Sequence, residues 1–262
     1  MRSLVILLNI FLLGTQSFGQ DCYKEGSQDN LKLNYCQLWL DKTFQGTIDD
    51  DNQRIEIRFL EIYQNSDIPS QYLVEGKSRV HNNVCDFSGV MTIDKIMLLD
   101  EVNVGCEPGL SEGILYGTYE FKENPNQNHV GIFKGLFTTM FDRKMDSFVI
   151  NQAVLGQEDF NSFMGTWKEY NKIEMKYCAW GCKIPPSQKD NLFTHYDNEF
   201  YLFNSKYINN GWKTYVLSNL ISFIKIPRSF DTNELRLVDD FIEYSISEIE
   251  QANREEKKKW WE

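Results

Sequence analysis

Arg54-Ile55-Glu56-Ile57-Arg58-Phe59 alternates a charged side chain with an apolar one at every step. A period of two puts Ile55, Ile57 and Phe59 on one face and Arg54, Glu56 and Arg58 on the other, the pattern of a half-buried strand. The apolar phase then slips by one residue, to Leu60 and Ile62, which predicts a β-bulge. Outward from this stretch the pattern recurs. Tyr72, Val74, Gly76, Ser78 and Val80 share a face opposite Glu75, Lys77 and Arg79, and Phe87 to Ile93 continues the β signal. Leu115, Gly117, Tyr119 and Phe121 form another one-sided set, as do Phe133, Gly135, Phe137 and Phe141. Turn residues punctuate the runs at Asp49-Asp50-Asp51-Asn52, at Asn65 to Pro69 and at Asn124 to Asn128. Glycines 76, 89, 117, 131 and 135 fall inside the strands; they weaken a flat sheet but permit the curvature of a closing one. The expected fold is mainly β with α: a curved antiparallel sheet or β-barrel over residues 43–170.

Phe160-Asn161-Ser162-Phe163-Met164-Gly165-Thr166-Trp167 resembles the G-x-W signature at the start of lipocalins, over about ten residues. It stands after the β run, and Lys168 replaces the usual apolar neighbour. It reads as a barrel strand carrying a buried tryptophan, and a calycin-like architecture is compatible with it.

Residues 171–262 change character and predict an α-containing part packed on the β domain. An irregular stretch holds Pro185-Pro186. Asn204 to Asn210 suggests a short helix stopped by Gly211. Apolar positions 212, 215, 216, 220, 223 and 224 fit a helical period, with a strand as the alternative because Ile221 and Ile226 lie off the stripe. Asp231-Thr232-Asn233-Glu234 has the form of a capping box and predicts a helix from 232 to about 258. Trp260 and Trp261 follow it; folding back onto the body is preferred over an exposed anchor.

Residues 1–19 read as a cleaved export signal: Arg2, then the apolar stretch Leu4 to Leu13, then Ser17-Phe18-Gly19 before the cut. The stretch is too short for a spanning helix. Residues around Gly19-Gln20 resemble the signal cuts of exported Bacteroidota proteins. The mature part has 21 asparagines and no N-x-Ser/Thr sequon, which also fits a bacterial source. A periplasmic or extracellular location is expected, where thiols can oxidise. Six cysteines, Cys22, Cys36, Cys85, Cys106, Cys178 and Cys182, allow 15 connectivities; pairing in sequence order is the simplest, and the first pair would tether residues 20–42. Cys178-Ala179-Trp180-Gly181-Cys182 is C-x₃-C and not the C-x-x-C of redox proteins, and a zinc site would need two further ligands.

The chain holds 27 basic and 38 acidic residues, a formal charge of −11, which becomes −12 when Arg2 leaves with the signal. That balance repels nucleic acid and anionic membrane and favours a basic partner. His81, His129 and His195 each stand alone, His195 nearest to acids, at Asp197 and Glu199. No nucleophile elbow, metalloprotease helix or phosphate loop occurs. Arg54 stands where a calcium loop starting at Asp49 would need glycine. Glu61 and Glu75, on neighbouring strands, could form a carboxylate pair, or point to solvent beside Lys77 and Arg58. No catalytic, cofactor or metal residues are assigned. The expected function is an exported non-catalytic protein that binds a small apolar ligand or a protein through a barrel or its rim. The alternatives are an inhibitor or immunity-type protein neutralising a basic partner, and a glycan hydrolase using a carboxylate pair.

Overall fold

The computed structural model describes residues 22–100, 110–145, 147–151, 161–186, 191–196, 200–220, 222–228 and 240–262. The signal, Cys106, the Asp231 capping box and the acids near His195 lie outside them. Ten strands make one antiparallel sheet: β1 (Tyr23–Glu25), β2 (Thr43–Ile48), β3 (Gln53–Gln64), β4 (Gln71–Val80), β5 (Asn83–Leu99), β6 (Gly113–Glu123), β7 (Gly131–Lys144), β8 (Ser147–Ile150), β9 (Asn161–Glu169) and β10 (Lys176–Gly181). Eight of them run in the order β5-β4-β3-β2-β10-β9-β7-β6, and β6 pairs back onto β5, so the sheet closes into a barrel. β1 pairs with β5 and β8 with β7 as extensions. The strand that completes the closure, β10, lies beyond residue 170, so the barrel reaches to Gly181. The register shift foreseen in β3 falls between Phe59 and Glu61.

The barrel interior is packed with rings. Phe44, Phe59, Phe121, Phe133, Phe137, Phe163 and Trp180 are each no more than 1% exposed. Phe163 lies at the centre, its ring 5.4 to 5.7 Å from those of Phe137, Tyr119, Phe59, Trp180 and Phe44. Such rings fit because glycine opposes them. Gly135 and Gly165 are partners across β7 and β9, and a Cβ on either would sit 2.7 Å from the other's Cα. Alternation of large and small inward residues is how a small barrel fills itself. The rings therefore occupy the space that an apolar ligand would need.

Residues 22–42 close one end of the barrel. Trp39 is fully buried, stacks edge-on against Tyr72 and Phe137, and donates from Nε1 to Thr139 Oγ1 at 3.0 Å. The Tyr72 hydroxyl donates to the Leu33 carbonyl at 3.0 Å. The tether is thus aromatic packing and not the Cys22–Cys36 bridge expected from sequence order. Cys36, Cys85, Cys178 and Cys182 stand as thiols, so none of the three sequential pairs forms. Geometry explains the last pair: four residues of extended chain span about 13 Å, twice the Cα separation a disulfide allows. Cys178 is fully buried within β10, whereas Cys182 follows the strand's end. Cys22 is disulfide-bonded.

A second, smaller core lies against the outer wall. β11 (Phe193–His195), β12 (Tyr201–Phe203) and β13 (Ile224–Lys225) form a three-stranded sheet, which packs with α1 (Lys213–Asn219) around Leu192, Phe203, Trp212, Val216 and Ile224. The helix expected from 212 stops at Asn219, and Ile224 then pairs in parallel with Tyr201. Asn204 caps a single 3₁₀ turn, Ser205–Tyr207, and Gly211 breaks the helix at φ 87°, as foreseen. The last helix, α2 (Ile246–Glu256), starts well after 232. Ser245 and Glu248 form its capping box, and Ile242 instead hydrogen-bonds Ile226 and packs on the second core.

The barrel's outer wall carries the charges and its inside the apolar rings, the reverse of a barrel that faces lipid. Among the described residues no helix is long and apolar enough to cross a membrane.

Candidate functional site

The outer faces of β3 and β4 meet α1 and α2 at a buried ionic junction. Period-two alternation turns Arg54, Glu56 and Arg58 away from the core, and α2 comes to lie over them. Arg54 is 5% exposed, nearly as buried as the phenylalanines inside. Its guanidinium grips Glu256 with two parallel bonds, Nη1 to Oε1 at 2.8 Å and Nη2 to Oε2 at 2.7 Å. It also donates to Gln45 Oε1 at 2.8 and 3.0 Å and lies 3.2 Å from Glu56. Arg79 donates to Glu56 Oε2 at 2.6 Å, and Thr214 donates to Glu256. Aromatic faces cover the cations: Tyr215 lies 5.0 Å from Arg54, Trp260 4.8 Å from Arg79 and Trp261 4.3 Å from Arg58. The terminal tryptophans thus fold back onto the wall, and each is half-buried.

Burial pushes the Glu256 carboxyl up, but the Arg54 fork, Arg54's charge and Thr214 together hold it below the usual carboxylate range. Burial likewise works against the Arg54 charge, and Glu256 and Glu56 outweigh it and keep the guanidinium protonated. An ionised, guanidinium-bound carboxylate is a poor proton donor. Glu56 and Glu256 converge here, yet Glu256, held low by Arg54, does not supply the raised-pKa acid that glycoside hydrolysis requires, and Glu56 is bound by two arginines.

Beside the junction opens a cleft of about 390 Å³. Arg79, His81 and Asn82 form one wall, at the turn from β4 to β5. Asn209 and Lys213 form the second, and Glu255 and Lys258, at the end of α2, the third. Every acid in it is engaged: Glu56 by Arg79 and Arg54, Glu256 by Arg54 and Thr214, and Glu255 by Lys258 at 2.6 Å. Among the described residues, the side chains of His81, Asn82 and Asn209 make no hydrogen bond, and Lys213 makes no ion pair within 4 Å.

A second polar feature lies inside the barrel. Glu123, 4% exposed, accepts from Ser78 Oγ at 2.5 Å, Gly131 N at 2.8 Å and Trp167 Nε1 at 2.9 Å. Burial pushes its pKa up, and those three donors only partly offset it. The expected buried tryptophan of the G-x-W stretch is therefore Trp167, and it anchors this carboxylate. Cys85 and Cys178 feel the same carboxylate, and burial pushes the Cys85 thiol up to about 11.

Other residues singled out from sequence disperse. Glu61 and Glu75 do stand directly opposite each other in β3 and β4, but both are exposed, and neither lines the cleft beside the junction. Lys77 turns to Asp86 and Arg58 to Asp41 instead. Asp49 pairs with Lys176, and no group of three metal-binding side chains occurs among the described residues. His195 stacks edge-on against Tyr201, His129 sits in a turn, and only His81 reaches the cleft.

Sequence reading did not single out Glu123 or the Arg54–Glu256 pair. Glu123 was within reach, since it continues the inward parity of Leu115, Gly117, Tyr119 and Phe121. Arg54 and Glu256 stand 202 residues apart, and no local pattern joins them. Compared with known proteins, the chain matches no family model, no curated protein and no solved structure.

Proposed function

We propose that this chain is an exported, non-catalytic binding protein that recognises its ligand on the outside of its barrel, in the cleft between β3–β4 and the C-terminal helices. The observation that carries this reading is the contrast between a barrel interior filled with aromatic rings and an open, polar cleft with uncommitted side chains on its wall. Binding sites join concavity to a few placed polar groups, and the cleft has both. The barrel serves as a rigid wall that holds one side of the site, while α1 and α2 supply the others. Export follows the signal-like leader, and the Cys22 disulfide accords with an oxidising location. Non-catalysis is supported by the ion-paired state of Glu56 and Glu256 and by the isolation of Glu123 inside the barrel.

Amide NMR of the mature chain tests the reading. A panel of small polar compounds is titrated beside a long-chain fatty acid. Shifts grouped at Arg79, His81 and Lys213 are the expected result. Stoichiometric uptake of the fatty acid, with shifts at Phe163 and Trp180, would overturn it.

A further inference from the structure

We propose that the outer cleft takes a sugar-sized organic anion, in which a carboxylate or phosphate stands on a hydroxylated skeleton. The inference rests on the reading of this cleft as the recognition surface and adds the chemistry of what it recognises. Its basis is what the cleft has left to give. The three carboxylates are consumed by Arg54, Arg79, Thr214 and Lys258. They neutralise those cations in turn. The surplus is the Lys213 ammonium, the His81 imidazole and the amides of Asn82 and Asn209. Arg79 adds its Nη1 group, since only its Nε and Nη2 contact Glu56.

These groups are chiefly donors. A ligand that presents many acceptors and a negative charge can satisfy them, whereas an ammonium or guanidinium ligand would meet carboxylates already bound. The cleft thus carries a small local excess of positive charge on a chain whose formal charge is −11. Lys213 is exposed and exerts only a longer-range pull on Glu248, so its ammonium can turn into the cleft. A volume of about 390 Å³ admits a sugar-sized molecule and excludes a folded segment.

Calorimetry with four probes of similar size tests the inference: glucuronate, glucose 6-phosphate, glucose and glucosamine. The expected result is that one or both anions bind at least tenfold more tightly than glucose, with amide shifts at His81 and Lys213. Lys213→Met should weaken the anion at least tenfold while Lys213→Arg keeps it; the exposed position makes both variants safe for folding. The preferred anion tells carboxylate from phosphate. Glucose or glucosamine bound in the cleft as well as the anions would overturn the inference and leave the outer-cleft reading standing. Anion binding untouched by Lys213→Met would also overturn it. No shift in the cleft with any of the four would remove the inference, and fatty-acid uptake into the barrel would remove the reading beneath it.

Discussion

On the inner face of β3, Ile55, Ile57 and Phe59 are fully buried among rings; on its outer face, Arg54 is nearly as buried among Glu56, Glu256 and Gln45. The same strand therefore buries side chains by two kinds of physics. Apolar burial is non-directional and summed over many weak contacts. Ionic burial depends on a few directed bonds, each of which leaves a stranded charge when broken. The inner face fixes the fold, and the outer face fixes where α2 lies and so shapes the cleft.

The largest expected effect comes from the inner face. Phe163→Ala removes the ring that touches five others and should destabilise the chain by about 3–5 kcal/mol, measured by urea denaturation. A smaller loss would mean that the rings relax into the space, and the interior would then be less full than the contacts indicate.

The outer face should respond less and more specifically. Glu256→Ala leaves Arg54 with Glu56 and Gln45 but without its fork. A loss of about 2–3 kcal/mol is expected, below the full cost of stranding a buried charge because Glu256 keeps some solvent contact. The comparison sharpens in a double-mutant cycle. Arg54→Met together with Glu256→Leu should cost clearly less than the two single changes added. Additive losses would show that α2 is held by something other than this pair. Deleting residues 260–262 removes the ring faces over Arg79 and Arg58 and should cost about 1 kcal/mol, read as a lower midpoint with unchanged slope.

The two faces also differ in how much of them was readable beforehand. Period two exposed the inner face directly: Ile55 to Phe59, the slip before Glu61 and the inward glycines all follow from alternation. Closure was less legible, because β10 is a six-residue strand, Lys176–Gly181, too short to show a sustained alternation. The C-terminal helix was misjudged because Phe241 and Ile242 continue a helical period while hydrogen bonds to Ile226 and a cap at Ser245 pull them out of it. The cleft was not legible at all. One wall, at His81, lies more than a hundred residues from the other two, at Lys213 and Glu255, and the cleft's chemistry depends on which charges are already paired. Cysteine spacing likewise says nothing of whether a thiol faces inward, as Cys178 does.

The smallest effect separates the two buried carboxylates by the sign of their pH dependence. Glu123 has a folded pKa raised above its unfolded value. Its contribution is fully present below the unfolded value, about 4.3, and is lost as pH rises through the folded one. Glu256 has a folded pKa below its unfolded value, so its contribution is present above about 4.3 and is lost as pH falls through the folded one. Glutamine at each position removes the titration with little change of shape. At Glu123 glutamine can keep all three bonds, because its oxygen accepts from Gly131 and Trp167 while its amide donates to Ser78 Oγ, a hydroxyl able to accept. Relative to the native chain, Glu123→Gln should therefore gain stability as pH rises from 4 to 7. Glu256→Gln should lose it over the same range. Denaturation midpoints at several pH values read both slopes. Parallel slopes would mean that the wall of β3 does not divide two electrostatic environments, because the inner carboxylate would be meeting water as freely as the outer one meets arginine.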